Sequence, residues 1–101
     1  MKYYFYKITK TDDPTMSYIG STKNPSSRKS KHKKNVNNKR GKSYWTKLYQ
    51  TIRCNGGWEK FTFTILEDVE YDLVSDCLRR EQELIILHIP TLNSNKAFKD
   101  L

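Results

Sequence analysis

Ser17–His32, SYIGSTKNPSSRKSKH, passes from strand to helix inside one short run. Ser17 to Thr22 reads as a strand. Asn24-Pro25 then starts a helix, because asparagine caps the free N–H groups and proline suits the first helical position. That helix runs through Arg28 and His32 and fades near Asn35 to Asn38. Arg28 and His32 are i and i+4, hence neighbours on one helical face. The helix follows directly on the strand that carries Tyr18, so all three side chains can converge at one end of a sheet.

Upstream, Lys2 to Thr9 is rich in aromatic and β-branched residues and predicts a strand. Thr11-Asp12-Asp13-Pro14 is a turn, which gives an N-terminal hairpin with a longish loop. Downstream, Gly41 breaks the helical pattern and Ser43 can cap a second helix carrying Tyr44, Trp45, Leu48, Tyr49 and Ile52. Their spacing makes an apolar stripe at helical period, and Asn55-Gly56-Gly57 stops it. Phe61 to Leu66 alternates Phe61/Phe63/Ile65 against Thr62/Thr64/Leu66 and predicts a third strand. A last long helix runs from Asp72 to His88 and ends before Pro90. The order β-β-α-α-β-α predicts an α+β fold, a three-stranded antiparallel sheet flanked by helices, as one domain over residues 1–101.

On that last helix, stepping 100° per residue from Val74 puts Cys77, Leu78, Glu81, Leu84, Ile85 and His88 on one face. Glu83 points the opposite way, as an ordinary surface acid. A carboxylate on a core-facing stripe is costly unless it meets a cation. Spacing alone leaves that cation open: a lysine at the rim of the stripe, or a metal ion. With Tyr18, Arg28 and His32 beside Glu81, the set supplies donors for a phosphate, a proton acceptor and a metal post, as phosphoryl transfer needs.

The 101 residues carry a formal charge of +8, unevenly spread. Lys23, Arg28, Lys29, Lys31, Lys33, Lys34, Lys39, Arg40 and Lys42 fall in one stretch with no acid, whereas Glu67 to Glu83 is acidic. A basic lobe attracts polyanions, and counterion release from phosphates gives sequence-independent affinity. The alternative is a solvated, lysine-rich face kept for solubility. Tyr44 and Trp45 lie among these lysines, and such interleaving can stack bases; the helical stripe instead assigns Trp45 and Tyr49 to the core. Binding dominated by phosphate contacts, with little base readout, is the expectation. Cys54 and Cys77 have no metal-ligand spacing, so neither zinc nor a disulfide framework is expected. The chain has no apolar run of the ~20 residues that span a bilayer and no signal-peptide pattern, so an intracellular protein without a membrane partner is expected.

Tyr18-Ile19-Gly20 is similar to the YIG of the GIY-YIG nucleases, and Phe5-Tyr6 with Lys7-Ile8-Thr9 stands where that family has its GIY strand. Ser21-Thr22-Lys23-Asn24-Pro25, then Arg28 and His32, resembles the run into the family's first helix. Leu78-Arg79-Arg80-Glu81-Gln82 with Ile85 resembles its metal-binding helix, and Leu92-Asn93 with Ala97 its closing segment. YIG is a weak tripeptide alone; with Arg ten and His fourteen residues beyond its tyrosine, and a helical Glu-Gln, it is a strong combination. The resemblance covers Lys2 to about Phe98 and implies a DNA endonuclease.

The resemblance also implies roles. Tyr18 is the general base or part of its relay, and it needs cationic neighbours, because an unperturbed phenol titrates near ~10. Arg28, with Lys23 near it, supplies that field, and Arg28 holds the scissile phosphate. Tyr6 and His32 bond to the water or phosphate, and either can share the base role. Glu81 holds one Mg²⁺ (or Mn²⁺) per site, since a single carboxylate with several waters suits magnesium. Gly20 and Asn93 are supporting residues, and the basic cluster contacts DNA.

Two positions depart from the family pattern. Tyr4 stands where the family has a glycine, next to Phe5 in place of an aliphatic residue, which bears on local backbone geometry. Ser21 follows YIG where repair-type members carry a lysine, which points to the stand-alone, homing- or restriction-like branches. Without room for a separate recognition module, the expectation is a weakly specific nuclease, a homodimer that pairs two sites, or a piece of a longer protein. The competing expectation is a catalytically silent nucleic-acid-binding module of the same fold.

Overall fold

A computed structural model describes residues 1–93 of the chain. Its elements run β1 (Lys2–Lys10), β2 (Asp13–Thr22), α1 (Pro25–Val36), α2 (Lys47–Cys54), a short 3-10 turn (Trp58–Lys60), β3 (Phe61–Glu70) and α3 (Val74–His88). The strands form one sheet in the order β2-β1-β3, antiparallel throughout. The predicted α+β class and element order are those observed. Ala97 lies outside the described residues.

The central position of β1 follows from its composition. Strand side chains alternate between faces, and β1 is apolar on both. Tyr6 and Ile8 pack with Val36, Leu48, Tyr49, Ile52, Phe61 and Leu92 on the side of α1 and α2. Tyr3 and Phe5 pack with Ile19, Cys77 and Leu84 on the side of α3. Phe5, Ile8, Ile19 and Ile52 are fully buried, each stabilising the fold by about 1.5–3 kcal/mol.

Four boundaries differ from the sequence reading. The hairpin is tight, with Asp13 and Pro14 already in β2. Proline fits there because β2 is an edge strand and no third strand of the sheet runs beside Pro14. The strand β3 continues to Glu70, with a register shift opposite Phe5/Tyr6. This bulge resets the alternation: Phe63 joins the α1/α2 core, while Leu66 and Val69 join the α3 core. The second helix starts at Lys47 with Thr46, not Ser43, as its cap. Tyr44 and Trp45 therefore precede it, and Trp45 is 71% exposed instead of buried. The last helix starts at Val74, which is exposed, so the apolar stripe begins one turn later, at Cys77.

Local signals explain the joints. The Asn24 side chain accepts from Ser27 N at 3.1 Å and sets the start of α1. Gly56, at φ 103°, turns the chain so that the Gly57 N–H reaches Ile52 O at 2.8 Å and closes α2. The outer edge of β2 is paired by the segment after α3. Asn93 accepts from Ile19 N at 2.9 Å and donates to Ile19 O at 2.8 Å, and Leu92 N donates to Ser17 O at 2.8 Å. Cys54 and Cys77 are both free. Among the described residues no helix is long and apolar enough to cross a membrane.

Candidate active site

Tyr6 on β1 and Gly20 on β2 are direct partners across the ladder. A Cβ on Gly20 would lie 2.5 Å from the Tyr6 hydroxyl oxygen, so the glycine is what admits this ring. Tyr6 stacks on Phe63 with ring centroids 4.6 Å apart and lies 6.3 Å from the Tyr18 ring. Its hydroxyl oxygen is 2.8 Å from His32 Nε2 on α1. The second ring nitrogen, Nδ1, is 2.7 Å from the Tyr49 hydroxyl on α2. Trp58 stacks against the imidazole. A continuous chain Tyr6–His32–Tyr49 therefore runs through the core, with Tyr18 beside it.

The ionisation of this group follows from burial and one cation. His32 is lowered to about 4, by desolvation and then by the Arg28 charge, so it is neutral at physiological pH. One ring nitrogen then donates and the other accepts, and the two tyrosine hydroxyls complement it in either tautomer. Burial raises Tyr6, Tyr18 and Tyr49. For Tyr18 the Glu81 charge raises it further, while Arg28 and the Tyr6 hydroxyl favour the phenolate. Arg28, exposed on α1, is the cation common to the set: it acts on Tyr6, Tyr18, Tyr49, Glu81 and His32.

Glu81 reaches the site from α3. It is half-buried, and one carboxylate oxygen accepts from the Ser21 hydroxyl. Burial raises its carboxyl, opposed by Ser21 and Arg28. Among the described residues no lysine forms an ion pair with it; Arg80, one position earlier, instead grips Glu67 with two bonds of 2.5 and 2.9 Å. That fork ties α3 to β3 and fixes the helix that presents Glu81. Among the described residues no group of three or more His, Cys, Asp or Glu side chains could cage a metal. One carboxylate with solvent around it fits a hydrated hard cation such as Mg²⁺ or Mn²⁺ and does not fit zinc.

Tyr6 and His32 are only 2% and 5% exposed and bond to each other. They are interior groups, held by each other and, for His32, by Tyr49. Arg28 is exposed and Tyr18 is half-buried. A pocket of about 340 Å³ opens at Arg28, lined by Tyr3, Ser21, Thr22, Lys23, Asn24, Ser27, Arg28 and Lys31. Its cations and the start of α1 favour an anion there. Lys29, Lys33, Lys34, Lys39, Arg40 and Lys42 are exposed as well. Asn93 stands apart from the cluster and acts on the backbone on one side of Tyr18.

Sequence reasoning missed two participants. Tyr49 was assigned to packing alone, although a tyrosine on an apolar stripe brings a hydroxyl that needs a partner. Ser21 was taken only as a marker of the branch, although period-two alternation from Tyr18 turns it toward α3.

The family model described as GIY-YIG catalytic domain matches residues 2–94. Neither the curated proteins nor the solved structures give a significant match. With nearly its whole length covered, the chain belongs to the GIY-YIG family, whose members are generally nucleases.

Proposed function

We propose that the chain is a DNA endonuclease that hydrolyses phosphodiester bonds with one Mg²⁺ or Mn²⁺ held at Glu81. The observation that carries this reading is the Tyr6–His32–Tyr49 chain meeting Tyr18 within the fields of Arg28 and Glu81. Tyr18, as its phenolate, takes the proton of the attacking water and becomes the neutral phenol. Tyr6 stabilises the Tyr18 phenolate before that transfer, and His32 and Tyr49 hold Tyr6 in orientation. Arg28 binds the phosphate oxygens, whose negative charge grows toward the transition state. Ser21 orients the Glu81 carboxylate. The bound cation would stabilise the leaving 3′ oxygen and add positive charge near Tyr18.

The runner-up, a silent nucleic-acid-binding module, has one observation in its favour. The three phenols are pushed up and His32 is pushed down, so the resting site holds no ready base at neutral pH.

Incubation with supercoiled plasmid, with and without Mg²⁺ or Mn²⁺ and beside Glu81→Ala, separates the two. Metal-dependent nicking that the variant loses, with its DNA binding intact, supports the endonuclease. Binding without cutting, on linear and branched DNA alike, selects the silent module.

A further inference from the structure

Trp45 is exposed yet fixed. Arg53 on α2 donates from Nη1 to Val36 O at 2.6 Å and from Nη2 to Tyr44 O at 2.5 Å, with its guanidinium 3.6 Å from the centre of the Tyr44 ring. The indole meets Tyr44 edge-on at 4.8 Å between centroids, and Gln50 donates to the Trp45 carbonyl. The backbone is thus tied on both sides of an indole that is 71% exposed. A ring held in place in advance loses little freedom on binding.

Its surroundings define the occupant. No acid occurs between Asp13 and Glu59, and Lys39, Arg40, Lys42 and Lys47 flank Trp45 in the sequence, all exposed. The other exposed large hydrophobics of the described residues lie elsewhere, at Met1, on β3, and before, on and just after α3. Trp45 is a lone aromatic face among cations and not part of an apolar protein-docking patch. Cations along a backbone with an aromatic face for a base form a single-strand binding surface.

We propose that Trp45 is a stacking platform for an unpaired nucleobase of the bound nucleic acid. Arg53 anchors the platform at Val36, eight residues along α1 from Arg28. At 1.5 Å per residue the Val36 anchor lies roughly 12 Å along the axis of α1 from Arg28. The preferred ligand is therefore DNA that offers a single-stranded or flipped-out nucleotide to Trp45. This inference rests on the nucleic-acid substrate proposed above and not on cleavage.

The test is binding without divalent cation, by anisotropy of labelled oligonucleotides about 12 nucleotides long, single-stranded and duplex. Trp45→Ala is expected to weaken single-strand binding at least about fivefold, to leave duplex binding within about twofold, and Trp45→Phe is expected to recover most of the loss. An unchanged single-strand affinity in Trp45→Ala, or an equal loss on both substrates, overturns the platform. A protein that fails to cut plasmid but gives the expected pattern retains the platform and loses only the endonuclease.

Discussion

Tyr6 and Gly20 stand opposite each other on β1 and β2, so close that a Cβ on Gly20 would also fall 2.6 Å from the ring carbon Cζ of Tyr6. The ring cannot retreat easily, because Phe63 stacks on it and His32 holds its hydroxyl.

Gly20→Ala is expected to destabilise the protein by about 1–3 kcal/mol, the usual result of overpacking a filled core. Adding Tyr6→Phe should not restore stability, since the clash reaches the ring itself. Urea denaturation of both variants measures this; a cost below about 0.5 kcal/mol would show that the ring gives way.

His32 makes stability depend on pH. Its folded value of about 4 lies below the ordinary 6.5. A depressed histidine contributes stability that is complete above 6.5 and lost as pH falls toward 4, in total about 3 kcal/mol. An NMR titration should find the imidazole neutral well into the acid range. A midpoint near 6.5 would contradict the buried geometry.

Glu81 has the opposite sign. Its folded carboxyl is raised, so its contribution is present at low pH and lost as pH rises through the folded value. Without divalent cation, Glu81→Gln should be at least as stable as the parent at neutral pH; with Mg²⁺ or Mn²⁺ present, its plasmid nicking should fall by about 100-fold or more. A clearly less stable variant would mean that the Ser21 bond outweighs the desolvation of the carboxylate.

The fork between Arg80 and Glu67 holds the Glu67 carboxyl low. Its contribution is present above the ordinary carboxyl range and disappears as pH falls through the depressed value. Both side chains are about one-third exposed, so Arg80→Ala should cost only about 1 kcal/mol. Arg80→Lys should recover little, because an ammonium cannot bond both oxygens at once. Full recovery on thermal denaturation would reduce the pair to a simple charge contact.

The elements were legible where one signal dominated. Asn24-Pro25 marked α1, Asn55-Gly56-Gly57 ended α2, and the aromatic run of β1 suited a strand buried on both faces. What escaped depended on tertiary context. Pro14 looks like a loop residue until β2 is known to be an edge strand, and Phe61 to Leu66 cannot reveal a bulge set by its partner strand. Trp45 keeps helical spacing yet lies before the helix, because Thr46 rather than Ser43 supplies the cap. The convergence of Tyr18, Arg28 and His32 followed from their order along the chain. The Tyr49 and Ser21 partnerships did not, since each joins elements distant in sequence.

The pairing of Thr91–Asn93 along β2 reaches beyond the strand it covers. Ser17 and Ile19, on either side of Tyr18, both give their outward hydrogen-bonding groups to this segment. A free edge would be a template for a second sheet. Here that stretch is already occupied, so growth of the sheet through the Tyr18 edge is blocked, and strand-to-strand pairing with another copy has to use another edge.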